Sequence, residues 1–293
     1  MNKSIVAYLN ELPDPRRRAG QRHEQTFILL LVLMSTMSGY HGYRSIGDFI
    51  KRNEGELLAC FKPKKNRLPS FYTVRRVIQD LDFKRLNEIF YRWVSQYVEI
   101  SKNELLHIDG KAMKGTVSDY DIDKQRFVSL VSLYHSKVGQ VVAHGLVDNS
   151  KRNPCSQRTN NQPGITGCNV YTGCLTLSKK TVTTIIGTNN NYIIGVKRNQ
   201  KTLYNSIEAL TANEDMTCSR FTELQKNRGR LERRTIWVSS ATDEISKAWT
   251  GVTQVIKVHR WVKENGKIRE EYAFYISSLK GNALVFCHNI KSH

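Results

Sequence analysis

The chain has 293 residues, which is enough for one large domain or two smaller ones. Lysine and arginine number 45 against 26 aspartate and glutamate residues, so the formal net charge is +19, and 40% of the residues are hydrophobic. That hydrophobic share excludes simple disorder, because such a chain can bury enough apolar surface to fold. The excess of positive charge predicts a polyanionic partner, either nucleic acid or an anionic membrane surface.

The membrane interpretation has little support in the sequence. The longest apolar run, Phe27–Met34, is far shorter than the roughly 20 residues that a spanning helix needs. The first residues show neither an apolar core nor a cleavage site of a secretory signal. The six cysteines are scattered without a CxxC pair, which is typical of a reducing compartment and argues against a zinc ribbon. The sequence therefore predicts a cytoplasmic protein with no membrane partner.

The first part of the chain has helical periodicity. Helices are predicted at Phe27–Met37, Tyr43–Ile50, Ser70–Ile78 and Leu86–Tyr97. Ser70 is the predicted N-cap residue of the third of these helices. These elements predict a small all-α domain over residues 1–98.

The periodicity changes after residue 99. Strands are predicted at Leu105–Asp109, Phe127–Tyr134, Gln140–Val147, Tyr192–Val196, Arg234–Val238, Thr253–Val258 and Tyr272–Ser277, with a helix at Lys201–Leu210. The turn Ser136–Gly139 joins the second and third strands as a hairpin. The polar stretch Asn149–Gly164 is predicted to have the least regular structure. The class is therefore α/β, with a mixed domain over residues 99–293.

Asp109 is the first candidate for a catalytic or metal-binding residue. It ends the buried run Leu105–Asp109 and is followed by Gly110 and Lys111. Sheets of this kind place ligand residues at the carboxyl ends of strands, so an acid there can hold a metal ion. The same acid can belong to an ordinary turn, since Asp-Gly is a common turn dipeptide. On this residue alone, both interpretations stay open.

The segment after the strand Tyr192–Val196 is a second candidate. Lys197, Arg198, Asn199 and Gln200 lie between that strand and the helix that follows. Cations and amides of this kind suit contacts with DNA phosphates, although a solvated basic turn has the same composition.

Further basic clusters lie near the N-terminus, at Arg16, Arg17 and Arg18 with Arg22, and at Lys62–Arg67. In a chain this basic, at least one such cluster is expected to contact a nucleic-acid backbone. The sequence contains no phosphate-loop, dinucleotide-binding or serine-hydrolase motif. Its histidines show no spacing typical of a zinc site.

Taken together, these segments resemble the H-repeat-associated (ISAs-type) bacterial insertion-sequence transposases over nearly the whole chain. In the first part the shared blocks are Leu12–Arg18, Gly42–Ile46, Leu68–Ser70 and Thr73–Val77. In the second part they are Ile108–Lys111, Tyr192–Gln200, Gly229–Arg234, Trp249–Ile256 and Tyr275–Leu279. Several independent blocks in the same order make this match specific.

The resemblance implies a helical transposase-associated domain followed by an RNase H-like mixed sheet flanked by helices. In this DDE superfamily, two aspartates and one glutamate hold two divalent ions, Mg²⁺ or Mn²⁺, which cleave DNA and transfer its strands. Asp109 matches the first aspartate, and Lys111 beside it is an implied DNA contact. The implied partner is the DNA at the ends of the insertion sequence, with a nucleoid-associated location. Whether the chain forms a homo-oligomer stays open.

The chain departs from the family pattern at the other two acids. Gly173 stands at the position of the second aspartate, and a glycine offers no side-chain oxygen to a metal ion. Ile290–His293 matches the residues just before the third acid, so the resemblance predicts a chain truncated before the helix that carries the glutamate. With Asp109 as the remaining acid, we expect weak or absent metal binding and a catalytically inactive copy that still binds DNA.

Other functions remain open at this point. The chain could be a domesticated DNA-binding protein that inhibits full-length transposases, or a nonfunctional relic. It could also be an active nuclease in which Asp148 or Glu232 replaces the missing ligands beside Asp109. An RNA-binding protein is a further alternative, but the aromatic-glycine pattern of a common RNA module is missing.

Overall fold

The computed structural model describes residues 2–112, 128–148, 166–172, 178–212, 218–227 and 229–291. The polar stretch Asn149–Gly164 and the position Gly173 lie outside these ranges. The chain divides into two compact units, Met1–Tyr97 and Val98–His293, and each is described by itself.

The described part of the first unit contains helices joined by loops and turns. The helices are α1 (Ile5–Leu9), α2 (Gln25–Met37), α3 (Tyr43–Arg52), α4 (Glu54–Phe61), α5 (Phe71–Gln79) and α6 (Phe83–Val94), with a 3₁₀ turn at Arg18–Gly20. Ser4 and Asp82 begin α1 and α6 as N-caps, because their side-chain oxygens accept backbone N–H groups of the first turn.

Two apolar clusters hold the first unit together. The larger one joins α2, α3, α4 and α5 through Ile28, Leu31, Ile46, Phe49, Ile50, Leu57, Val74 and Val77. The smaller one includes Tyr8, Leu9, Leu12, Leu29 and Ile89. Gly47 allows α3 to approach α5 closely, since a Cβ atom there would lie 2.7 Å from Cβ of Phe71.

The described residues of the second unit form a sheet of nine strands. Its strands are β1 (Leu105–Ala112), β2 (Val128–His135), β3 (Gln140–Asp148), β4 (Asn169–Thr172), β5 (Asn191–Val196), β6 (Ser219–Asn227), β7 (Arg230–Ser240), β8 (Gln254–Glu264) and β9 (Lys267–Ser277). Their order across the sheet is β3-β2-β1-β4-β5-β9-β8-β7-β6. The strands β1, β4 and β5 run parallel, and every other neighbouring pair is antiparallel. The predicted α/β class is confirmed.

The described helices of the second unit are α7 (Lys179–Gly187), α8 (Lys201–Leu210), α9 (Asp243–Ala248) and α10 (Ala283–Lys291). Phe286 and Ile290 of α10 pack in one cluster with Ile193 and Ile236 of the sheet. The ring of Tyr204 on α8 lies 4.8 Å from that of Phe274 on β9. Because side chains alternate along a strand, these contacts define two sheet faces, called the α10 face and the α8 face below.

The hairpins β6–β7 and β8–β9 extend beyond the carboxyl end of the parallel strand β5. The pairing of β5 with β9 ends at Val196 and Phe274, so residues 267–273 of β9 lie beyond the carboxyl end of β5. The turns between β6 and β7 and between β8 and β9 lie at this same end. The carboxyl ends of the parallel strands β1 and β4 also point to this edge.

Several predicted elements agree with the structure. The predicted helices that correspond to α2, α3, α5 and α8 are confirmed. The predicted hairpin of β2 and β3 is also confirmed, and its turn ends at Gly139, which has a φ of 72°. The predicted end of α6 at Tyr97 is wrong, because the helix ends at Val94. The helices α1, α4, α7 and α9 and the strands β4 and β6 were not predicted, and β7, β8 and β9 are longer than expected.

Candidate functional site

Asp109 lies within β1 and not at its end. The strand continues through Gly110 and Lys111 to Ala112, which corrects the predicted strand end. The cause is the antiparallel neighbour β2, which pairs with β1 as far as Ala112. On the other side, the last described parallel pair is Ile108 with Thr172 of β4. Asp109 is therefore the first residue of β1 beyond its described pairing with β4, and its side chain is exposed.

A row of polar side chains crosses the sheet from Asp109. Asp109 pairs with Ser132 of β2, and Ser132 pairs with His144 of β3. The hydroxyl oxygen of Ser132 lies 3.1 Å from Nδ1 of His144, within hydrogen-bond distance. Burial lowers the pKa of His144, which favours the neutral imidazole. This row places a carboxylate, a hydroxyl and an imidazole on the α10 face.

Two further residues flank Asp109 on the same face of β1. The imidazole of His107 is buried, and its ring lies 5.2 Å from that of Tyr171. Lys111 is exposed, so its ammonium group is accessible to an anionic ligand. The face around Asp109 thus changes along the strand from an aromatic core to an exposed cation.

The described residues do not fit a two-metal site. Such a site needs carboxylates from several elements around two closely spaced ions. Among the residues that the structure describes, no three His, Cys, Asp or Glu side chains come together as a metal site. Asp109 contributes one carboxylate, and the prediction for Gly173 falls outside the described ranges. We therefore derive no metal-dependent step for this chain.

Asp148 does not complete the site with Asp109. It is the last residue of β3 and pairs with Val128, four residues along the strands from the Ser132–His144 pair. The backbone of Asp148 lies two strands across the sheet and four residues along the strand from that of Asp109. The distance between the two backbone positions is therefore about 16 Å. Two carboxylates bridged by a metal pair with a spacing of about 3.5–4 Å must be much closer.

Glu232 is also unavailable as a substitute ligand. Its carboxylate accepts hydrogen bonds from Arg260, Arg230 and Arg234, at 2.7 to 3.2 Å. Mainly through the Arg260 guanidinium, these bonds lower the pKa of Glu232 to about 2. Glu232 lies on β7, five strand positions from β1 in the sheet. An active nuclease that pairs Asp109 with Asp148 or Glu232 is therefore contradicted by the geometry.

The arginines around Glu232 were missed by the sequence reasoning. The block Gly229–Arg234 shows Arg230 and Arg234 at alternating positions beside Glu232, which on a strand places all three on one face. Arg260 comes from the neighbouring strand, where it pairs with Arg234. A register prediction for β7 and β8 would have been required to find it.

The loop after β5 has the predicted strand-loop-helix form. Lys197, Arg198 and Asn199 are exposed between β5 and α8, and the guanidinium of Arg198 lies 5.7 Å from the ring centre of Tyr204. Asn199 and Gln200 line a cavity of about 540 Å³ together with residues of α7, α8 and α9. The loop can present two cations to a phosphate backbone, so its predicted role stays a prediction.

Arg16 is a structural residue and not an exposed DNA contact, which corrects one predicted site. Its guanidinium contacts both carboxylate oxygens of Asp14, at 2.9 and 2.7 Å, and donates to the backbone oxygen of His23. Its side chain is only 6% exposed. Arg17 and Arg18 are exposed and remain candidates for phosphate contact.

In the other basic cluster, Lys64 forms an exposed ion pair with Glu24 at 3.2 Å, and Lys62, Lys65 and Arg67 are exposed.

Among the helices that the structure describes, none is long and apolar enough to cross a membrane.

Comparison with known proteins finds that this chain is similar to proteins named as transposases. Residues 6–94 match the family described as DDE_Tnp_1-associated. "Putative transposase YncI" of Escherichia coli O157:H7 is 25% identical over 99% of this chain and 76% of its own length. "H repeat-associated putative transposase YhhI" of Escherichia coli K12 is 24% identical over 99% of this chain and 79% of its own length. "Uncharacterized protein in dhlA 3'region" of Xanthobacter autotrophicus is 24% identical over 91% of this chain. The predicted resemblance to the H-repeat-associated insertion-sequence transposases is therefore confirmed.

Proposed function

We propose that this chain is a DNA transposase of an insertion sequence, built on an RNase H-like domain, and that this copy binds DNA without cleaving it. One observation carries the proposal: Asp109 lies on the central strand β1, beside the parallel strand β4, in a sheet of order β3-β2-β1-β4-β5. In an RNase H-like fold of the DDE type, the first two acids lie on these two neighbouring strands. Asp109 has the first position.

The lack of cleavage is argued from the second position. The residue that follows Thr172, the last described partner on β4, is Gly173. If the parallel register continues by one residue, Gly173 lies opposite Asp109 and leaves one carboxylate where a metal pair needs several. Mg²⁺ or Mn²⁺ is then held weakly or not at all.

DNA binding does not depend on these acids. The formal net charge of +19 favours binding to a polyanion, because each phosphate that is neutralised releases counterions from the DNA. The proteins YncI and YhhI, which this chain resembles, carry transposase names. The proposed partner is the DNA at the ends of the element that encodes the chain.

A binding and nicking assay tests this function. Purified protein is titrated against labelled duplexes that carry the terminal sequences of its element, and the products formed with Mg²⁺ or Mn²⁺ are resolved on denaturing gels. We expect salt-dependent binding and no nicking. Nicking that the variant Asp109→Asn abolishes would overturn the claim of inactivity. Absence of DNA binding by a folded sample would overturn the proposed function itself.

A further inference from the structure

The hairpins β6–β7 and β8–β9 carry an unusual face on the side of the sheet opposite to α10. This face, called the basic-aromatic face below, consists of the even-numbered residues 220–226 of β6 and 268–274 of β9 and the odd-numbered residues 231–237 of β7 and 257–263 of β8. The helix α8 packs on it at Phe274. Further out, Leu224 is 63% exposed and Tyr272 is 51% exposed. This outer part is therefore accessible to a partner.

The charges of the two faces of these hairpins differ. The basic-aromatic face carries five lysine or arginine residues and one acid, Glu270. That acid is itself engaged, since its Oε2 lies 3.1 Å from Nε2 of His259. The opposite face also carries five cations, but four acids lie among them, at Glu223, Glu232, Glu264 and Glu271. The excess of positive charge is therefore concentrated on the basic-aromatic face.

The cations of the two faces also have different partners. On the α10 face, Arg230, Arg234 and Arg260 donate to the Glu232 carboxylate, so their charge is partly neutralised. On the basic-aromatic face, Arg233 lies over the ring of Trp261 at 5.4 Å from its centre. An aromatic ring orients a guanidinium without neutralising its charge. Among the described residues, Arg233 forms no ion pair.

Lysines extend this pattern along the face. Nζ of Lys257 lies 5.3 Å from the ring centre of Trp237 and 5.5 Å from that of Tyr272. Lys226 and Lys263 are exposed, and the described part of the chain offers them no ion-pair partner. Among the described residues, contact between these cations and a polyanion therefore requires no existing ion pair to be broken.

The position of this face fits a long, charged ligand. The hairpins project past the edge to which the carboxyl ends of β1, β4 and β5 point, the edge near which Asp109 lies. The Asp109 side chain itself lies on the α10 face, so the basic-aromatic face shares this edge of the sheet with Asp109 but not a face, and a ligand bound to the hairpins reaches Asp109 only around the edge. Duplex DNA is a long ligand of this kind, and it carries about one negative charge per 1.7 Å of its axis.

We propose that the basic-aromatic face of β6–β9 binds the phosphate backbone of duplex DNA next to the edge that carries Asp109. The inference deepens the proposed function, on which it rests, by naming the surface that holds the DNA. Lys226, Arg233 and Lys263 contact the phosphates. Trp237 and Trp261 keep neighbouring cations oriented and give the face its shape.

A matched pair of double variants tests the surface. Arg233→Gln/Lys263→Gln removes two cations from the basic-aromatic face, and Lys267→Gln/Arg269→Gln removes two exposed cations from the opposite face of the same hairpins. Both variants lower the net charge equally. The measurement is the dependence of the duplex association constant on salt concentration, with folding checked by circular dichroism.

We expect the first double variant to bind about tenfold or more weakly near 0.1 M salt and to lower the slope of log K against log salt by about 1.8, since each phosphate contact contributes about 0.9. The second should keep a slope close to that of the unchanged protein. Equal effects of the two variants would overturn the inference, because net charge alone would then explain binding. The inference also fails if neither variant matters while the unchanged protein binds DNA. If the unchanged protein does not bind DNA, the proposed function fails with it.

Cysteine protection gives a second readout that does not depend on charge. Leu224→Cys places a thiol on the basic-aromatic face. Gln225→Cys, at the next residue of β6, places a thiol on the opposite face of the sheet. Both are made in a background in which the exposed Cys60 and Cys218, together with Cys155 and Cys174 from outside the described ranges, are serine. Bound duplex should slow maleimide labelling at position 224 and leave labelling at position 225 unchanged. The same protection at both positions, or protection at 225 alone, would contradict the proposed face.

Discussion

Ile108 of β1 lies opposite Thr172 of β4 in a parallel register, and this pair is the last described one between the two strands. The next residue on each chain segment is Asp109 on one side and Gly173 on the other. The antiparallel pairing of Asp109 with Ser132 fixes the position of Asp109 in the sheet. The register thus limits where a second ligand for Asp109 can come from.

Introducing the missing acid should improve metal binding. The family resemblance assigns position 173 to the second acid, so Gly173→Asp should supply a second carboxylate, and hard cations bind more tightly as carboxylate ligands are added. We expect about a tenfold or greater gain in Mn²⁺ affinity, measured by isothermal titration calorimetry. Adding Asp109→Asn to this variant should abolish the gain. Unchanged Mn²⁺ affinity in a folded Gly173→Asp sample would show that position 173 does not face Asp109.

Substitutions at Arg16 and at its neighbours should separate an effect on the free energy of unfolding from an effect on DNA binding. Arg16→Ala removes a largely buried ion pair with Asp14 and leaves the Asp14 carboxylate and the backbone oxygen of His23 without this donor. We expect the free energy of unfolding to fall by about 2–4 kcal/mol, measured by urea denaturation. The carboxyl of Asp14, whose pKa the Arg16 guanidinium lowers, then loses its main partner.

The double variant Arg17→Ala/Arg18→Ala is the control for Arg16. Both side chains are exposed, so we expect a change in unfolding free energy within about 0.5 kcal/mol for each substitution. If these two residues contact phosphates, the slope of log K against log salt should fall by about 0.9 for each contact. A strong loss of stability in this double variant would contradict the different roles assigned to Arg16 and its neighbours.

The sequence predicted the elements whose periodicity is strong. The helix α2 has a continuous apolar stretch, and α8 follows a polar loop with apolar residues at helical spacing, so local pattern was sufficient for both. β6 and the outer parts of β7–β9 were missed because their residues are mostly charged or polar. Their charges are accommodated by neighbours on other strands, such as Arg260 beside Glu232, and those neighbours are set by register.

The candidate site could be predicted only in part. Asp109 could be found from a buried run that ends in an acid, whereas the Ser132–His144 contact joins two strands of a hairpin whose register was not predicted. Arg16 was assigned to DNA because a run of three arginines suggests an exposed cluster. The sequence does not show that Asp14 and the backbone of His23 surround one of the three.

The close approach of α3 to α5 predicts opposite effects for two glycines of the first unit. Within a helix, alanine is normally favoured over glycine by about 0.5–1 kcal/mol. At Gly55 of α4, an added Cβ atom meets nothing within 4 Å, so Gly55→Ala should stabilise by about that amount. At Gly47 the added Cβ atom would lie 2.7 Å from Cβ of Phe71, so Gly47→Ala should destabilise. Thermal unfolding of the two variants checks this, and a stabilised Gly47→Ala would show that the helices separate easily.

The Glu232 network should make stability depend on pH. The three arginines, Arg260 foremost, hold the pKa of Glu232 at about 2, against an ordinary value of 4.5. Because the native state favours the ionised form, this contribution is fully present above about pH 5 and is lost as the pH falls from 4.5 towards 2. Glu232→Gln should therefore lower the free energy of unfolding by up to about 3 kcal/mol at pH 7, with the difference shrinking towards pH 2. Urea denaturation of both proteins at pH 7, 5, 3.5 and 2.5 measures this difference. A loss that stays constant over this range would mean that the ionised carboxylate contributes nothing beyond the packing of its side chain.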